Sequence, residues 1–138
     1  MSENTQAVLD RSQHPLPGVP KDVRFPDYFE HRLANGLKVI VYEDHTLPLV
    51  AVNMVAHGGA AHDGAYPGLA SMATELLTMG TAKRTANDIV DEIEFLGGSI
   101  GSGAGWDSAS IGISILSRHI ENAMEVLSVT VRNSSFPE

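Results

Sequence analysis

The chain has 138 residues, 43% hydrophobic and 6% aromatic, with 17 acidic against 9 basic side chains, a formal charge of −8 and no cysteine. That length suits one domain rather than two, and the apolar fraction excludes a disordered or collagen-like chain in spite of 13 glycines. Scattered Lys and Arg under an acidic balance exclude nucleic acid as a partner, and the lack of cysteine removes disulfides, thiol catalysis and cysteine-bound metals.

Residues 1–26 hold four of the seven prolines, Pro15, Pro17, Pro20 and Pro26, and read as an extended arm ahead of a domain over 27–138. Phe29-Glu30-His31-Arg32-Leu33 and Leu37-Lys38-Val39-Ile40-Val41-Tyr42 flank Ala34-Asn35-Gly36, and Asn-Gly tolerates the positive φ of a hairpin turn. The run from Leu49 to Ala56 is β-branched and apolar on both faces, which predicts an interior strand ended by Gly58-Gly59.

From Pro67 the period changes. Leu69, Met72, Ala73, Leu76 and Leu77 form one stripe of a helix that Gly80 stops, with Ser71, Thr74, Glu75 and Thr78 on the opposite, polar face. A second helix starts at Thr85, capped with Asp88, and buries Ile89, Ile93 and Leu96 before Gly97-Gly98. The glycine-rich stretch 99–105 reads as a turn or bulged edge, and 108–115 alternates as a half-buried strand. A third helix, capped by Ser117, buries Ile120, Ala123, Met124, Leu127 and Val131. The order predicts an α+β fold, a mostly antiparallel sheet covered by helices on one face. No apolar run approaches the roughly 18 residues of a membrane span.

Few constellations could carry chemistry. No Gly-x-Ser-x-Gly elbow follows a strand, and the cluster Gly97-Gly98-Ser99-Ile100-Gly101-Ser102-Gly103-Ala104-Gly105 lacks the Lys of a phosphate loop and leads into a strand rather than a helix. Asp88, Asp91, Glu92 and Glu94 read as a solvated charge run. His57, His62 and Asp63 offer two nitrogens and a carboxylate of the types zinc accepts, and are the weak metal candidates, with Glu75.

Gly58-Gly59, a short loop with Asp63, and then Gly68-Leu69-Ala70-Ser71-Met72-Ala73-Thr74-Glu75-Leu76-Leu77-Thr78-Met79-Gly80-Thr81 resemble the metal-binding helix of the insulinase/pitrilysin family of zinc metallopeptidases, especially the mitochondrial-processing-peptidase type. There the segment reads Gly-Leu-Ala-His-x-x-Glu-His-x-x-x-x-Gly-Thr. The Asn35-Gly36-Leu37 hairpin, the Glu94-Phe95-Leu96-Gly97-Gly98 helix end, Asp107 and Phe136 extend the resemblance over residues 28–138.

The resemblance implies the processing-peptidase-like metallohydrolase fold, here an incomplete N-terminal part, since related subunits continue past Glu138. It also implies zinc held by two histidines four apart on one helix face, with the intervening glutamate activating water. Ser71 and Glu75 stand at the two histidine positions and Thr74 at the glutamate position, so no catalytic residue and no metal are expected in this chain. The family's third ligand lies beyond Glu138.

The function this implies is a subunit that has lost its zinc site and partners a homologous catalytic subunit or forms a homo-oligomer. Ser71, Thr74, Glu75 and Thr78 would then line a chamber for the peptide substrates of the assembly. The alternatives are an active zinc protease with relocated ligands at His57, His62 and Asp63, and a purely structural or interaction homologue. The start Met1-Ser2-Glu3-Asn4 lacks a secretory signal, so a soluble protein is expected whose compartment the sequence leaves open, a bacterial cytoplasm or, if a leader has been trimmed, the periplasm.

Overall fold

The computed structural model describes Ser12 and residues 18–136. Of the proline-containing arm, Pro15 and Pro17 lie outside the described residues, and 18–26 carry no regular secondary structure and are exposed. The chain divides into two compact units, Met1–Glu43 and Asp44–Glu138.

The first unit contains the hairpin. Strand β1 (Phe29–Arg32) pairs antiparallel with β2 (Lys38–Val41), with Phe29 opposite Val41 and Arg32 opposite Lys38. The loop between them is closed by Gly36 N–H donating to Leu33 O at 2.9 Å and Leu33 N–H donating to Leu37 O at 2.8 Å. Only Gly36 takes a positive φ, 88°, and Asn35 instead contributes its side-chain oxygen, accepting from Leu37 N–H at 3.1 Å. The loop therefore places a glycine where the chain must turn left-handed, as three-residue hairpin loops do.

In the second unit β3 (Leu49–His57), β5 (Ser108–Leu116) and β4 (Ser99–Ala104) form an antiparallel sheet in the order β3, β5, β4. This corrects two expectations. The apolar run of β3 is an edge of this sheet rather than its interior, and its residues alternate, with Val50, Val52 and Met54 half-buried and Ala51, Asn53 and Val55 exposed. Of the turn or bulged edge expected for the glycine-rich stretch, the structure has the edge without the bulge, the strand β4, held in register along β5 from Ser99 opposite Ser114 to Ala104 opposite Ala109. Its composition disfavours a strand, so pairing with the long central β5 imposes the extended backbone.

Three helices cover the face that carries Ile111, Ile113 and Ile115. Helix α1 (Leu69–Glu75) continues as a 3-10 turn over Leu76–Met79. Helix α2 (Ala86–Phe95) begins at the capping box expected from the sequence, Thr85 accepting from Asp88 N–H while Asp88 accepts from Thr85 N–H at 2.8 Å. Helix α3 (Ile120–Asn133) follows a 3-10 turn over Ser117–His119. Ser117 does not cap it. Its backbone N–H donates to Pro48 O at 2.9 Å, and the helix begins three residues later without a side-chain cap.

The core is Ile89 and Ile93 of α2, the three isoleucines of β5, and Ala123, Val126 and Leu127 of α3, with Val52, Met54, Leu77, Leu96 and Ile100 packed around it. It contains no aromatic ring, and every Phe, Tyr and Trp of the chain is exposed. Met124, expected inward, is exposed, while Thr130 of the same helix is buried. Arg84 joins α2 to α3, its guanidinium 3.0 Å from Glu92 and 3.3 Å from Glu125. No described helix is long and apolar enough to cross a membrane.

Candidate functional site

Helix α1 carries the positions the sequence singled out, and only Leu76 and Leu77 of its apolar stripe, in the 3-10 turn that follows, are half-buried as expected. Met72 is 63% exposed and Leu69 and Ala73 are exposed, whereas Thr74 is 5% exposed. Ser71 and Thr78 are half-buried and Glu75 is exposed. The Thr74 hydroxyl is satisfied without water, donating to Ala70 O one turn back at 2.7 Å. Once so bonded, a threonine buries like an apolar residue of similar size. Ser102 of β4 then donates from its hydroxyl to Thr74 O at 2.9 Å and ties the helix to the strand. At the far end, Ser134 donates to Leu76 O at 3.3 Å and Ser135 N–H donates to Gly80 O at 3.0 Å, so the end of α3 holds the end of the 3-10 turn.

Asp63 also has a specific place. Its Oδ2 accepts from Gly68 N–H at 2.6 Å and its Oδ1 from Ala70 N–H at 2.8 Å, so both carboxylate oxygens cap the first turn of α1. The residue is buried, while His57 at the end of β3 and His62 are exposed. Among the described residues no group of three or more His, Asp or Glu side chains is placed to hold a metal ion, and the trio His57, His62 and Asp63 is not gathered into one.

The donors at the three helix positions do not suit zinc. Ser71 offers a neutral hydroxyl, the Thr74 hydroxyl is committed to Ala70 O, and only Glu75 supplies an anionic ligand. Thr74 cannot act as a general base either, since its hydroxyl has no accessible pKa near neutrality.

On the face of the sheet away from this helix, a shallow trough of about 650 Å³ is lined mostly by small residues, among them Ala51, Asn53, Gly101, Gly103, Gly112 and Ser114. The glycine cluster thus builds a sheet surface and not a phosphate-binding loop. Two anchoring residues escaped the sequence reading, Ser102 and Ser134. Both are small polar residues whose partners lie 28 and 58 residues away, and no local pattern marks them.

Residues 38–138 match the family model of the insulinase family of peptidases, peptidase family M16. The chain belongs to that family. It is 28% identical over 108 residues to an uncharacterised zinc protease of Rickettsia bellii, covering 78% of this chain and 26% of that protein. It is also 28% identical over 143 residues to a probable mitochondrial-processing peptidase subunit alpha-1 of Arabidopsis thaliana, covering 99% of this chain and 28% of the relative. Among solved structures, a peptidase M16 inactive domain from Pseudomonas fluorescens superimposes with a TM-score of 0.76 at 28% identity, over 80% of this chain and 27% of that one. The chain thus spans about a quarter of the length of the relatives it matches. The insulinase-type assignment and the α+β fold read from the sequence agree with these matches.

Proposed function

We propose that this M16 chain belongs to a non-catalytic subunit whose partner, a homologous subunit with an intact two-histidine zinc site, cleaves the peptide. The observation that carries this reading is on helix α1, where the motif resemblance sets Ser71, Thr74 and Glu75 at the positions of the family's metal and base residues and the Thr74 hydroxyl is bonded back to Ala70 O. The Pseudomonas relative, described as an inactive M16 domain, and the Arabidopsis relative, named as one subunit of a processing peptidase, both support it.

On this reading the chain contributes wall rather than chemistry. Glu75, exposed on α1, presents its carboxylate to the peptide chamber, Ser71 and Thr78 border it, and Thr74 holds the helix against β4. The test is zinc content and peptide cleavage of the purified full-length protein, alone and with a homologue bearing the two histidines. Cleavage only in the mixture supports the proposal. Stoichiometric zinc together with cleavage by the protein alone overturns it.

A further inference from the structure

We propose that the loop 58–63 is a coupling element that makes the β4–β5 turn and the first turn of α1 open and close as one unit. The loop is bonded to both. On one side Gly58 N–H donates to Asp107 O at 3.3 Å, Ala60 N–H to Gly105 O at 2.9 Å and Ala61 N–H to Trp106 O at 2.7 Å, so three successive carbonyls of the turn are taken up. Gly59 is buried between these bonds. A Cβ there would lie 2.6 Å from Asp107 N and closer still to Gly105 O, so the two backbones meet at a distance only glycine allows.

On the other side, Asp63 supplies the cap that α1 lacks. The helix has seven residues and a glycine, Gly68, at its N-cap, with no side chain of its own to accept the free amides. A helix this short is not stable in isolation, and the two bonds from Asp63 to Gly68 and Ala70 satisfy amides that would otherwise be unpaired.

Between the two attachments the loop is internally braced. Its 3-10 turn over Ala60–His62 is closed by His62 N–H donating to Gly59 O at 2.9 Å and by Asp63 N–H donating to Ala60 O at 3.2 Å. Asp63 cannot shift without moving Ala60, and Ala60 cannot shift without breaking its bond to the turn. A displacement of the exposed Trp106 turn is therefore transmitted to the helix that carries Ser71, Thr74 and Glu75. The coupling is independent of which subunit performs catalysis.

Amide hydrogen exchange of the intact chain tests it, read at the attachment opposite to the one each substitution alters. Asp63→Ala removes the helix cap and touches none of the bonds made by Ala60 and Ala61. Coupling requires the Ala60 and Ala61 amides to exchange about tenfold faster or more in that variant, as members of one cooperative unit do. Gly59→Ala pushes on the turn, and the Gly68 and Ala70 amides should accelerate to a similar degree. Should Gly59→Ala fail to fold, Asp63→Ala and the milder Asp63→Asn give the same reading. Acceleration confined to Gly68 and Ala70 in Asp63→Ala overturns the proposal. So does an equal acceleration of the Ile111, Ile113 and Ile115 amides, which marks global loss of stability.

Discussion

The Ser102 hydroxyl donates to the Thr74 carbonyl at 2.9 Å, a bond across 28 residues that fixes α1 to an edge strand made mostly of glycine, serine and alanine. Because β4 offers few apolar side chains, this bond replaces contacts a larger residue would make. Ser102→Ala should lower the stability of the chain by about 1 kcal/mol. Urea unfolding followed by far-UV circular dichroism checks it, and an unchanged midpoint would show the bond to be dispensable.

Thr130 is 1% exposed in α3 and its hydroxyl has no hydrogen-bond partner. An unpaired buried hydroxyl is destabilising, and removing it while keeping the branched shape relieves that cost. Thr130→Val should raise stability by about 1 kcal/mol, seen as a higher urea midpoint with an unchanged slope.

The carboxyl of Asp88 is held below the ordinary carboxylate range by the Thr85 backbone N–H and, next, the Thr85 hydroxyl. The folded state therefore binds its proton less readily than the unfolded chain. The stabilisation from this group is full above the unfolded value, about pH 4, and is lost as pH falls through the lowered folded value. Asp88→Asn should be less stable than the parent at pH 7, and the gap should close in strong acid. Unfolding midpoints compared at the two pH values decide it.

Positions 71 and 75 stand one turn apart on α1, so histidines there can share one ion. Ser71→His with Glu75→His should raise zinc affinity at least about tenfold over the parent, measured by calorimetry. Adding Thr74→Glu should cost on the order of 3 kcal/mol, since a carboxylate would replace a hydroxyl buried against the Ala70 carbonyl.

What was legible in the sequence was what neighbouring residues decide. The hairpin around Gly36, the Thr85 and Asp88 capping box and the alternation of β5 are each set within a few residues, and each stands in the structure as read. The face of α1 was not legible. Its Leu69 and Met72 mark an apolar side that is exposed, yet Thr74 is buried against the sheet because it can satisfy its hydroxyl within the helix and Ser102 waits across from it. The strand β4 was legible only as one of two alternatives, an edge or a turn, since its own residues carry little preference for extension and pairing with β5 decides between them. At the candidate site the residue types were readable from the motif spacing, while the commitment of both Asp63 oxygens to α1 was visible only in the fold.

The wholly aliphatic core has a spectroscopic consequence. Trp106, the single tryptophan, is 73% exposed, and all three tyrosines and four phenylalanines are exposed as well. The native chain should fluoresce at nearly the wavelength of its unfolded form and give a weak near-ultraviolet dichroism, the optical signature commonly taken for a molten globule. Its isoleucine interior is nonetheless ordered, and methyl resonances rather than aromatic ones will report that order.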